Sequence, residues 1–217
     1  MHIHYISEEN SILNHFLAQI RDVSIQKDSM RFRKNIERIG EIMAYELSKT
    51  LEYKSIQVQT PLGIKNTTQI SDNVVLCSIL RAGLALHTGF MNIFDAADNG
   101  FVSAYRYHPN NDTEFEIRVE YQAAPNLENK TLILIDPMLA TGQSIVAVLH
   151  KLHLEQKPKE IHVAVAIAAP EGIQFLEENL PGNVHLWVAA LDEKLNEKNY
   201  ILPGLGDAGD LAYGIKL

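Results

Sequence analysis

Apolar residues along the chain follow two rhythms. From Asp28, "DSMRFRKNIERIGEIMAYELSKT" repeats them at Phe32, Ile36, Ile39, Met43 and Leu47, a spacing that lays one apolar stripe along a helix, with Asp28 or Ser29 as its N-cap. "YKSIQVQTPLG" then alternates Ile56 and Val58 with glutamines and stops at Pro61 and Gly63, which predicts an extended strand and a turn. Beyond it come short unbroken apolar runs, each followed by an amphipathic stretch. "VVLCSIL" precedes "AGLALHTGFMNIF", "LILID" precedes "SIVAVLHKLHLE", "IHVAVAIAAP" precedes "EGIQFLEENL", and "VHLWVAAL" follows. Strands that are apolar throughout are buried on both faces, so this alternation predicts an α/β fold with a mainly parallel central sheet and helices on both sides. Between the first two units, "FVSAYR" and "FEIRVEYQ" read as strands. Phe115, Ile117, Val119 and Tyr121 alternate there as in an antiparallel arm inserted over the sheet, about residues 104 to 126.

Composition narrows the class without changing this picture. The 217 residues suit one domain, residues 1–217, and 46% hydrophobic with 21% charged residues is ordinary for a globular chain. The opening "MHIHYISEENSILNHFL" has no basic flank or apolar core of a leader, and no window reaches the ~18 apolar residues of a membrane span. The expectation is a cytoplasmic protein without membrane association. Cys77, the single cysteine, sits inside "VVLCSIL" and reads as a core thiol. A net charge of -8 argues against a general nucleic-acid binder, so any phosphate ligand must be held by a local arrangement.

One such arrangement is "LILIDPMLATGQS", residues 132 to 144. Ligands of open α/β sheets bind beyond the carboxyl ends of the strands, where Asp136 would sit. The chain then turns through Pro137, Met138, Leu139, Ala140, Thr141, Gly142, Gln143 and Ser144 into a helix carrying Ile145, Val148, Leu149 and Leu152. A turn of small residues at a helix N-terminus presents backbone N–H groups and hydroxyls to an anion, and a phosphate monoester would fit. The same residues also read as an N-cap, Thr141 or Ser144, after a strand-end Asp, and the stretch alone does not decide. It is not a Walker loop, for it lacks the lysine.

"ILRAG" puts Arg81, and "AYR" puts Arg106, at the ends of neighbouring strands. Two guanidinium forks near a phosphate-type turn favour a polyanion such as a diphosphate. "GLGDAG", residues 204 to 209, matches a dinucleotide fingerprint letter for letter but lies too near the chain's end for the helix and strand that should follow. What remains is a glycine loop after Pro203, with Asp207 and Asp210, whose bare backbone can approach a flat ligand. His2 with His4, and His150 with His153, lack any accompanying metal pattern.

Together these segments resemble the uracil phosphoribosyltransferases: "RFR", "TPLG", "ILRAGL", "AYR", "DPMLATGQS", "AAPEGI", "LNEKNYILPGLGDAGD" and "YGIK" run in family order from about residue 31 to residue 216. The resemblance implies a type I phosphoribosyltransferase fold, with N-terminal helices and the inserted arm added to the central sheet, and transfer of the phosphoribosyl group of 5-phospho-α-D-ribose 1-diphosphate (PRPP) to uracil, giving UMP and diphosphate. It implies that Asp136, Pro137, Met138, Leu139, Ala140, Thr141, Gly142, Gln143 and Ser144 bind the ribose 5-phosphate part of PRPP, and that Arg81 and Arg106 contact the diphosphate. Ile201, Gly206, Asp207 and Ala208, in a base-binding loop spanning about residues 192 to 212, would hold uracil. Asp207 would also face PRPP, and Arg106, Asp136 and Asp207 would carry catalysis. Mg²⁺ would enter mainly with the diphosphate, with no resident metal site, and a GTP effector and a dimer or tetramer are further implications. The family's second glycine of the turn is Gln143 here. Its acidic run after the arginine is replaced by "YHPNNDTEFEIRVEYQ", so the arm's contacts are not carried over. The competing readings are a nucleotide- or RNA-binding regulator on the same fold and a transferase for another base.

Overall fold

The structure is a computed structural model and describes residues 1–107, 116–155 and 157–216. In chain order the elements are β1 (His2–Tyr5), α1 (Ile12–Arg21), α2 (Ser29–Ser48), β2 (Tyr53–Thr60), β3 (Gly63–Ile70), β4 (Val74–Leu80), α3 (Leu84–Ile93), β5 (Asp98–Tyr107) and β6 (Glu116–Ala123). There follow β7 (Thr131–Ile135), β8 (Met138–Leu139), α4 (Gln143–Glu155), β9 (Glu160–Ala168), α5 (Pro170–Asn179), β10 (Val184–Leu191), β11 (Lys194–Leu195), β12 (Ile201–Leu202) and α6 (Ala208–Tyr213).

The main sheet runs β1-β10-β9-β7-β4-β5-β6, with β8 also paired to β9. All its pairings are parallel except β5 with β6. Side chains alternate across the strands, and both sets are apolar. Leu76, Ile133, Ile135, Ala164 and Ala166 join the core under α1, α2 and α3. Val75, Cys77, Leu132, Leu134, Val163 and Val165 join the core under α4 and α5. This two-sided burial is why the strands read as unbroken apolar runs. Cys77 is fully buried, and burial pushes its thiol up to about 12, which suits a core residue.

The long helix begins as anticipated, with the Asp28 side chain accepting from Arg31 N–H. Its buried positions include Phe32, Ile36, Ile39, Met43 and Leu47. Three features differ from expectation. First, β1 opens the chain ahead of the N-terminal helices α1 and α2. "HIHY" alternates Ile3 and Tyr5, which pack against the core under α4 and α5, with two histidines, but four residues are too short a run to signal a strand before its pairing with β10 is seen; α1 is announced by Ser11, whose side chain and that of Asn14 form a reciprocal cap. Second, the Pro61–Leu62 turn leads into a returning strand, so β2 and β3 make a separate hairpin registered from Tyr53↔Ile70 to Thr60↔Gly63. Its second strand, "GIKNTTQI", is too polar to signal itself. Third, β5 and β6 belong to the main sheet as its antiparallel edge, not to an arm lying over it; strand pairing satisfies their backbone groups there. Phe115 and the tip of the arm lie outside the described residues.

Candidate active site

The carboxyl ends of β4 and β7, the turn after β7 and the C-terminal loop enclose one cavity of about 550 Å³, a size common for small-molecule sites. Its lining brings together segments more than a hundred residues apart: Arg81 beyond β4, Asp136, Thr141, Gly142 and Ser144 beyond β7, and Ile201, Gly206, Asp207 and Ala208 near the chain's end.

Asp136 opens this edge directly after β7. Its N–H donates to the Ala164 carbonyl (3.1 Å) on β9, and its Oδ1 accepts from Met138 N–H (3.2 Å). Surrounding protein desolvates the carboxyl and pushes it up to about 7, against the opposing effect of the Met138 bond. The next residues alternate. Pro137 and Leu139 are buried, whereas Met138 and Ala140 line the cavity, because β8 is pinned to β9 by Ile167 N–H on Pro137 C=O and Ala169 N–H on Leu139 C=O, both 2.9 Å. Gly142 stands at φ +78°, and a Cβ there would meet the Gly172 carbonyl at 3.0 Å and Phe175 at 3.1 Å. The turn therefore requires glycine on both conformational and packing grounds. It delivers Thr141 and Ser144 to the cavity wall at the start of α4, where the first helical N–H groups have no partner within the helix. Gln143 does not line the cavity; its Oε1 is buried with no hydrogen-bond partner.

Arg81 reaches across the cavity mouth and pairs with Asp210 on α6 (Nη2 to Oδ1, 2.8 Å), with both side chains partly exposed. The strand-end arginine and the glycine loop, separate motifs in the sequence, are thus in contact. Arg106 lies on β5 opposite Ile117; the contacts anticipated for its side chain lie outside the described residues.

The glycine loop departs from expectation in one respect. A helix does follow it, since α6 starts at Ala208 and is capped by Asp207, whose Oδ1 accepts from Asp210 N–H at 2.9 Å. With six residues and no strand after it, α6 does not make the βαβ unit of a dinucleotide site. Several wall residues lie within the quoted segments but were not singled out as site residues by sequence: Ile79, Ser103, Asn199, Tyr200 and Lys216. Asn199, at φ 61°, belongs to the β11–β12 turn, where the Asn196 side chain accepts from Tyr200 N–H (2.9 Å). An Asn–Tyr pair in a turn is unremarkable until folding sets it on the wall of the cavity that Asp136 also lines.

The N-terminal histidines stand elsewhere. His2 is opposite His185, which is opposite His162. His4 Nε2 lies 3.1 Å from His185 Nδ1, and burial pushes His162 down to about 3. Side-chain detail for His153 lies outside the described residues.

The model of the family "Uracil phosphoribosyltransferase" matches residues 7–215. The chain belongs to the uracil phosphoribosyltransferase family. A relative from Porphyromonas gingivalis bearing that name is 48% identical over 217 residues, covering 100% of both chains. One from Thermococcus gammatolerans is 39% identical over 216 residues, covering 98% of this chain and 94% of its own. A solved structure of an Aquifex aeolicus protein matches at TM-score 0.87 with 32% identity, covering 99% of each chain. The type I phosphoribosyltransferase fold is visible at greater distance: a Staphylococcus aureus hypoxanthine phosphoribosyltransferase matches at TM-score 0.50 and 13% identity, over 87% of this chain and 84% of that one. In this member of the uracil phosphoribosyltransferase family, three motifs far apart along the chain contribute residues to one cavity.

Proposed function

We propose that the cavity transfers the 5-phosphoribosyl group of PRPP to N1 of uracil, releasing diphosphate and forming UMP. The carrying observation is the convergence of Arg81, the Asp136–Ser144 turn and the Ile201 to Ala208 loop on one cavity. The turn at the start of α4 suits the 5-phosphate, with Thr141 and Ser144 hydroxyls and backbone N–H groups as donors. Asp136 accepts from the ribose hydroxyls. Arg81 exchanges Asp210 for diphosphate oxygens, a pairing its fork matches in two-fold fashion. Uracil offers two carbonyl acceptors and an N–H donor, which the backbone around Gly206 and Ala208 can answer with both donor and acceptor groups. Cytosine, with a reversed pattern at one edge, leaves such groups unpaired.

Displacement at the anomeric carbon develops positive charge on the ribose and negative charge on the leaving diphosphate. Alignment of uracil N1 with that carbon, Asp207 and Asp136 on the ribose side, and Arg81 and Arg106 on the diphosphate side supply the required positioning and charge complementarity. Mg²⁺ would enter mainly with the diphosphate of PRPP, where the carboxylates of Asp136 and Asp207 would be the hard oxygen donors at hand on the cavity wall, and it would neutralise charge on the departing diphosphate.

Family resemblance is the basis for three further assignments: a GTP effector, assembly as a dimer or tetramer, and a cytoplasmic location. The exposed apolar residues of the hairpin, Val58, Leu62 and Ile64, with Leu62 100% exposed, support assembly. Among the described residues no helix is long and apolar enough to cross a membrane.

The test is diphosphate release on mixing the purified protein with PRPP, Mg²⁺ and each free base separately, with and without GTP. Release with uracil and formation of UMP is the expected result. Release with a purine base alone, or with none, overturns the assignment.

A further inference from the structure

We infer that Arg21 and Asp192 are positioning residues that lock the base-binding loop, setting affinity for uracil independently of affinity for PRPP; this rests on the function proposed above. Arg21 is the last residue of α1, and Asp192 directly follows β10. Their side chains meet fork to fork, Nη2 on Oδ1 at 2.6 Å and Nη1 on Oδ2 at 2.8 Å. Both then turn to the same glycine: Arg21 Nη1 donates to the Gly204 carbonyl at 3.0 Å, and Asp192 Oδ2 accepts from the Gly204 N–H at 2.9 Å. One ion pair thus holds the N–H and the C=O of a single loop residue. Next to it, Gln26 Nε2 donates to the Leu205 carbonyl at 3.2 Å and to the Ile20 carbonyl at 2.9 Å, tying the loop to the end of α1. Asp192 is itself fixed, its N–H donating to the Ala168 carbonyl at the end of β9 (2.8 Å).

The loop needs an outside anchor because it has none of its own at this point. Gly204 stands at φ +60°, and a Cβ there would lie 2.2 Å from the Ile201 carbonyl oxygen, so no side chain can grow from it to pin the turn. The anchor is also an expensive one. The Asp192 side chain is only 5% exposed and that of Arg21 24%, and a buried ion pair contributes little net stability after desolvation. What it does provide is a fixed geometry, since the planar guanidinium fork meets carboxylate and carbonyl in only one arrangement.

A division of labour follows along the loop. The polar groups of Gly204 and the carbonyl of Leu205 are committed to the clamp, which leaves the exposed Gly206, on the cavity wall, as the adjacent backbone that faces a ligand. Recognition by backbone groups depends on their placement, and a displacement of about 1 Å is enough to lose a large factor in rate or affinity. The clamp touches neither Arg81 nor the Asp136–Ser144 turn, so its loss should fall on the base and spare the donor.

The experiment measures steady-state kinetics of wild type, Arg21→Lys and Gln26→Met with each substrate varied in turn, alongside thermal unfolding. Lysine keeps the charge against buried Asp192 but not the fork, and Gln26→Met removes one loop contact without touching any charge. Arg21→Lys is expected to raise KM for uracil about ten-fold, with KM for PRPP within about two-fold, and Gln26→Met to do the same more weakly. Unchanged KM for uracil in Arg21→Lys, or an equal rise in both KM values, overturns the clamp. If Arg21→Lys does not fold, the ratio of KM changes in Gln26→Met decides by the same criterion. Wild-type protein that fails to use uracil refutes the proposed function instead, so the two failures are distinct.

Discussion

Replacing Asp207 with asparagine separates two tasks that one side chain performs. Its Oδ1 caps α6 by accepting from Asp210 N–H at 2.9 Å, and the same residue lines the cavity. Asparagine caps a helix about as well as aspartate, so Asp207→Asn should cost only a few tenths of a kcal/mol of stability, whereas Asp207→Ala should cost about 1 kcal/mol. The charge facing the ligand is lost in both. If Asp207 stabilises the cationic ribose, removing it should cost on the order of 3 kcal/mol of transition-state stabilisation, roughly a hundred-fold in rate. Urea unfolding measures the first quantity and diphosphate release at saturating uracil and PRPP the second. The expected outcome is two variants with similarly low turnover and different stability. It fails if Asp207→Asn retains near-wild-type turnover, or if activity and stability fall together across the pair, which would make the residue a helix cap alone.

Arg106→Ala should lower kcat/KM by a similar factor, on the order of 3 kcal/mol, if the arginine neutralises the leaving diphosphate; unchanged steady-state rates would remove it from the site. Asp136→Asn should abolish turnover yet raise the melting temperature at pH 8 and leave it nearly unchanged at pH 4. In the fold the Asp136 carboxyl is raised from 3.8 to about 7, so the folded state holds its proton more tightly than the unfolded chain, and stability falls as pH rises from about 4 through 7. Equal melting temperatures at pH 8 would show that Asp136 ionises without cost. Gly142→Ala should destabilise by about 1–2 kcal/mol, because an alanine at φ +78° is strained and its Cβ crowds Gly172; a stability equal to wild type by chemical denaturation would refute this.

Much of this protein is written locally. The apolar runs that become β4, β7, β9 and β10 are legible because two-sided burial demands apolar residues at every position, and the α2 stripe because one-sided burial demands them every third or fourth. Asp136 and the turn after it are legible for a related reason: a strand end, a glycine with positive φ and a helix start each restrict residue type over a few neighbouring positions. The returning strand of the hairpin gave no such signal, being polar throughout, and β1 is too short for its alternation to count, so their partners define them.

Distance in sequence hid the rest. Arg81 and Asp210 are each readable as part of a motif, but their ion pair exists only because the sheet brings the end of β4 to the mouth of α6. Arg21, Gln26 and Asp192 belong to no local pattern: an arginine closing a helix and an aspartate after a strand are ordinary surface residues until folding sets both on Gly204. Local sequence thus determined the elements and the chemical types available at their ends. Tertiary structure decided which of those groups share a cavity and which hold its walls, because hydrogen bonds and ion pairs form between neighbours in space, and neighbours along the chain constrain only the conformation in between.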